Sequence, residues 1–121
     1  MHNVKELKVW QLSRILVKEV YELTALFPPE EKFGLVPQLR RCAVSIPSNI
    51  AEGSGRNTEK DFAHFLSLSL GSAYELETLL TLSLDVALLK EVQLVELTPK
   101  INEVQKMIYA LIKSVRKHSY P

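Results

Sequence analysis

Apolar residues recur along this chain every three or four positions for long stretches, and strict alternation is scarce. That periodicity predicts helices and no sheet. A first helix is expected to begin at Asn3, with Glu6 three positions later in what resembles a capping box. Its stripe runs Val9, Leu12, Leu16, Val20, Leu23 and Phe27, widened by Trp10, Val17 and Tyr21. Pro28 and Pro29 stop it, because neither has an amide hydrogen to continue the ladder. At 1.5 Å per residue, about 24 residues make a rod of roughly 36 Å, which favours an elongated bundle.

A second helix falls within residues 30–52, striped by Leu35, Leu39, Cys42, Ile46 and Ile50. Pro37 suits a first turn. Pro47 is interior, where proline typically costs about 3 kcal/mol. The stripe keeps its phase from Ile46 to Ile50, so one kinked helix is expected rather than two short ones. Gly53 to Arg56 then form a turn. Helix three opens with Thr58 as N-cap and Asp61 three residues on. Phe62, Leu66, Ser69, Ala73, Leu76 and Leu80 form one stripe, and Phe65, Leu68, Ser72, Leu79 and Leu82 a second beside it. Two stripes bury more than one neighbour requires, so this helix is central or also faces another subunit. Gly71, Ser72 and Ala73 together would let a neighbouring backbone come close. The last helix carries Leu97, Ile101, Val104, Ile108, Leu111 and Val115, and starts between Glu91 and Pro99. The prediction is all-α: an up-and-down four-helix bundle, one domain over residues 1–121.

Composition narrows the class. Of 121 residues, 46% are hydrophobic, and 15 Lys and Arg face 14 Asp and Glu for a formal charge of +1. A polybasic tail or an acidic disordered chain is excluded; a local basic patch is not. Residues 1–60 hold nine basic and seven acidic side chains (+2), 61–103 two and seven (−5), and 104–121 four and none (+4). The single cysteine, Cys42, excludes an internal disulfide and every CxxC zinc or redox pattern. Charges near the start and the lack of an uncharged apolar run of about 18 residues point to a cytoplasmic protein without a membrane partner.

No constellation for catalysis assembles. His2, His64 and His118 lack ligand-spaced partners, and the Glu-x-x-His pairs of di-iron bundles are absent, so no metal and no cofactor are expected. Glu75 and Glu77, two positions apart, point in different directions on a helix. Neither Ser45 nor Ser48 sits in a nucleophile elbow, and Gly53–Gly55 matches no nucleotide fingerprint. A non-enzyme follows. What stands out is the polar face of helix two: Gln38, Arg41, Ser45, Ser48, Glu52 and Arg56 at spacings of three and four. The plain alternative is a solvated face, but short hydrogen-bonding side chains and arginines replace the usual Lys/Glu mixture there.

The run RRCAVSIPSNIAEGSGR, Arg40 to Arg56, resembles the signature of the four-helix-bundle family encoded within bacterial 23S rRNA intervening sequences, often labelled S23. FPPEEKFGLVPQLRR before it, LSLGSAYELET in helix three and KMIYALIKS in helix four extend the resemblance over nearly the whole chain. Cys42 and Ser69-Leu70 are mild departures. The resemblance implies a bundle assembling into a homopentameric ring. It also implies similarity to the accessory proteins of diversity-generating retroelements, which associate with a reverse transcriptase and contact nucleic acid through basic surface.

Two readings of function follow. In the first, an oligomeric adaptor binds RNA or DNA, with Arg40, Arg41, Arg56, Lys60, Lys113, Arg116 and Lys117 on phosphates. In the second, the chain is an interaction module in which Gln38, Arg41, Ser45, Ser48, Asn49, Glu52 and Arg56 are paired within or between protomers.

Overall fold

The computed structural model describes residues 2–32 and 34–119, and those residues form four α-helices and two short 3-10 turns, with no strand among them. The helices are α1 (Lys8–Thr24), α2 (Leu35–Ser54), α3 (Glu59–Asp85) and α4 (Glu91–Ser119). Cross-links fix the topology. Arg40 of α2 reaches Thr24 and Tyr21 at the end of α1, whereas His2 reaches Ser54 at the end of α2, so α1 and α2 are antiparallel. Gly53 packs on Phe62, Ser45 bonds Ser72 and Cys42 bonds Glu75, so α3 runs back along α2. α4 returns along α3 and closes loosely on α1, which makes the bundle up-and-down.

Most of the expected stripes become the core, although Leu12, Leu23 and Leu35 are only half-buried. Val9, Leu16 and Val20 of α1, Leu39, Cys42, Ile46 and Ile50 of α2, the whole Phe62–Leu80 stripe of α3, and Leu97, Ile101, Val104, Ile108 and Val115 of α4 are all buried. Ile112, outside the predicted stripe, is buried as well, while Leu111 is only half-buried. Thr58 caps α3 as read, its hydroxyl accepting from Asp61 N at 3.1 Å.

Several expectations are corrected. Asn3 caps a 3-10 turn at Val4–Glu6, accepting from Lys5 N; Leu7 is extended, and α1 starts only at Lys8. The helix also ends at Thr24, before the prolines, so α1 has 17 residues rather than about 24. α2 passes through Pro47 as one helix, as expected, but runs on to Ser54, so Gly53 lies inside it rather than in a turn. α4 begins at Glu91, the earlier of the two expected bounds, and so carries Pro99 in its interior. Gly71 gives no close approach: nothing lies within 4 Å of where its β-carbon would be. The second stripe of α3 is divided, with Leu68 and Leu82 exposed at its outer edge.

The antiparallel packing gathers charges that the sequence separates. One half of the bundle, residues 2–15, 45–72 and 109–119, holds eight basic and four acidic side chains; the other, residues 16–44 and 73–108, holds seven and ten. The halves therefore carry +4 and −3. Among the described residues no helix is long and apolar enough to cross a membrane.

Candidate nucleic-acid interface

The seven basic residues singled out in the sequence fall into two groups at opposite ends. Arg40 and Arg41 sit in the second turn of α2, and Arg56 lies just beyond its last turn. By helical rise, Arg41 and Arg56 are about 22 Å apart along the axis. The signature run therefore does not make one basic patch.

Arg40 turns inward. Its Nε donates to Thr24 Oγ1 at 2.9 Å and its Nη2 to Tyr21 O at 3.4 Å, with the guanidinium 4.5 Å from the Tyr21 ring centroid. A cation at the carbonyl end of α1 is favoured there by the helix dipole. Arg41 points outward and forms no hydrogen bond or ion pair among the described residues. It borders a polar cavity of about 370 Å³ between α2 and α3, with Gln38, Cys42, Ser45, Ser72 and Glu75. Asn49 Nδ2 donates to Ser45 Oγ at 2.9 Å, and Ser45 and Ser72 share a hydrogen bond of 2.8 Å. The Cys42 thiol donates to Ser72 O at 2.9 Å and to Glu75 Oε2 at 3.4 Å. Burial, with the Glu75 charge and hydrogen bond adding to it, pushes that thiol up to about 12. Cys42 is thus a protonated core donor and no nucleophile. Ser48 and Glu52 are exposed on the same outer edge.

The remaining cations collect where the N-termini of α1 and α3 meet the C-termini of α2 and α4. Arg56 pairs with Glu52 and lies over the Phe65 ring at 4.6 Å. Lys60 is exposed in the first turn of α3. Lys113, Arg116 and Lys117 are exposed on the last turns of α4, Lys113 standing 5.4 Å from the Tyr109 ring centroid. Cations at the carbonyl end of α4 also complement its dipole. No cluster that could hold a metal occurs among the described residues.

With this geometry in hand, the decisive match covers most of the chain: the family model of the 23S rRNA-intervening sequence protein fits residues 5–110. The chain belongs to that family. A crystal structure of a Bacteroides thetaiotaomicron protein of unknown function, from the S23 ribosomal protein family, is similar in fold. It matches with a TM-score of 0.78 and 23% identity over 87% of this chain and 98% of that one. No curated protein matches. Membership of the intervening-sequence family accounts for the Arg40–Arg56 signature, and the structure gives that run a packing role along α3.

The sequence reading missed Lys106 and Tyr109, both exposed on α4 beside Lys113. The signal was present: Lys106, Tyr109, Lys113 and Arg116 recur at three and four, as the residues of the α2 stripe do. On that helix the polar phase runs beside the stronger apolar phase of Leu97, Ile101, Val104, Ile108 and Val115, which masks it.

Proposed function

We propose that this member of the intervening-sequence family is a non-enzymatic nucleic-acid-binding protein that docks phosphates on the basic end of its bundle. The observation that carries this reading is that Arg56, in the turn between α2 and α3, Lys60 of α3, and Lys113, Arg116 and Lys117 of α4 lie in the half that holds +4. A field of one sign at one end attracts a polyanion and orients it. The homopentameric ring that the family resemblance implies would repeat that end around an axis and multiply its charge.

The test is binding of a labelled 20-nucleotide RNA or DNA by fluorescence anisotropy. Affinity should fall roughly 10- to 100-fold between about 50 and 200 mM salt, through counterion release at four or so phosphates. The double variant Lys113→Glu, Arg116→Glu should lose binding while keeping its helical circular dichroism. No binding at low salt, or binding indifferent to salt, overturns the reading.

A second reading, assembly through the outer edge of α2 and α3, is favoured by one observation. Among the described residues Arg41 stands unpaired beside the polar cavity between α2 and α3, and Val44, Leu68 and Leu82 of those helices are exposed apolar side chains. Such a mixture of one arginine with apolar area suits a protein interface. Arg41→Glu should then shift the mass measured by light scattering and leave nucleic-acid affinity per protomer unchanged. An unmutated protein that runs as a monomer removes this reading and the pentamer with it.

A further inference from the structure

One face of the bundle combines cations with unburied aromatic rings. On α3, Lys60, Ser67 and Tyr74 follow one another at seven-residue intervals; on α4, Lys106, Tyr109, Lys113 and Arg116 follow at three and four. Each set therefore shares a side of its helix. The two sides adjoin. Gln105, one turn before Tyr109, donates its amide to Glu77 Oε1 at 3.0 Å and to Ala73 O at 3.4 Å, and Tyr74 lies between those two acceptors in sequence. Tyr74 is 53% exposed and Tyr109 55%.

An exposed tyrosine offers its ring face to a planar ligand, and here the two rings sit among charges. Lys113 hovers over the Tyr109 ring. Lys60, Lys106 and Lys113 form no ion pair among the described residues. Two of the nearby carboxylates have partners: Glu77 accepts from Gln105, and Glu59 pairs with His2 at 2.9 Å. From Lys60 to Tyr74 the track is about 21 Å long by helical rise.

We propose that this α3–α4 face binds single-stranded nucleic acid, with bases stacked on Tyr109 and Tyr74 and phosphates held by Lys60, Lys106, Lys113 and Arg116. The inference rests on the nucleic-acid reading above and specifies its ligand class. A duplex keeps the flat faces of its bases inside the stack, so exposed rings gain nothing from it beyond the charge term. An unpaired strand offers those faces, and stacking on an aromatic side chain is tolerant of sequence. Lysines interleaved with the rings place a phosphate contact beside each stacked base.

The experiment uses the full chain with three labelled probes: a 20-nucleotide oligo-dT, a 20-nucleotide oligo-U and a 20-base-pair DNA duplex. Both single strands should bind about tenfold or more tighter than the duplex at equal salt. Tyr109→Leu should weaken single-strand binding about tenfold and leave duplex binding unchanged, while Tyr109→Phe keeps the ring and the affinity. Because the position is exposed, circular dichroism of all three proteins should coincide. Tyr74→Leu should act in the same direction as Tyr109→Leu. Equal affinity for duplex and single strand, or a Tyr109→Leu protein that binds oligo-dT like the parent, overturns the stacking proposal and leaves the phosphate-docking reading standing. Failure of every probe to bind at low salt overturns both.

Discussion

Gly53 of α2 rests directly on Phe65 of α3: a β-carbon on the glycine would stand 2.8 Å from Phe65 Cβ. It would also lie 2.9 Å from Phe62 Cδ1 and 3.2 Å from Phe62 O. Two helices touch here with nothing between them. The glycine that looked like the start of a turn is a contact point, and it sets how closely α2 and α3 pack at the basic end.

Gly53→Ala should therefore destabilise the fold by about 1–3 kcal/mol, since backbone and Cβ atoms cannot step aside as a flexible side chain would. Helix propensity alone predicts the reverse, a gain of about 1 kcal/mol. Urea unfolding decides between them through the sign of the change.

Ala87, between α3 and α4, is the one described non-glycine residue with a positive φ, at 63°. It occupies the left-handed position of a Schellman ending, with Ala87 N bonded to Leu84 O and Leu88 N to Ser83 O. A β-carbon there is strained by about 1–2 kcal/mol, partly offset by the greater freedom glycine has when unfolded. Ala87→Gly should stabilise by about 0.5–1 kcal/mol, read as a rise in Tm of a few degrees.

Cys42 is 4% exposed, and its thiol is pushed up to about 12. As pH rises through the ordinary thiol range near 8.5, the unfolded chain ionises first and the folded chain keeps its proton. Stability held by the protonated thiol is full below that range and is lost progressively toward pH 12. Between about pH 8.5 and 10.5 the parent should lose stability faster than Cys42→Ala does. A maleimide reagent at pH 8 should leave the folded protein unlabelled and react once denaturant is added.

Arg40→Met removes the hydrogen bonds to Thr24 and Tyr21 and the stacking on the Tyr21 ring. A loss of about 1–2 kcal/mol is expected on thermal melting. Arg40→Lys should recover only part, because an ammonium cannot span both acceptors as a planar fork does. Nucleic-acid affinity should be unchanged in both variants, since Arg40 faces α1 and lies in the half away from Lys113.

The bundle was legible because its core obeys a local rule. Leu39, Cys42, Ile46 and Ile50 recur at helical spacing and are all buried, and Thr58 both looks like a cap and acts as one. The misreadings arose where two structures share one local signal. Asn3 followed by Glu6 suits a 3-10 turn as well as an α-helix, and the extended Leu7 separates the two. Gly53 suits a turn as well as a tight helix crossing, and only the presence of Phe62 and Phe65 across the gap selects the second. Pro47 is accommodated within a single helix whose Ile46 carbonyl also accepts from Ser69 of α3, at 2.8 Å.

The candidate sites divide in the same way. Periodicity by itself determined that this chain makes four amphipathic helices, and most of the residues of each that face inward, since burial of an apolar stripe depends on spacing within one helix. Which cations stand together was decided only by the antiparallel docking of those helices. Arg40 and Arg41 are neighbours in the chain, yet one is spent on the end of α1 and the other faces outward beside the α2–α3 cavity. Lys60 and Lys113, more than 50 positions apart, share one end and one face. A net charge of +1 sums over the chain without regard to place. Long-range packing is what turns it into a bundle with a positive end and a negative one.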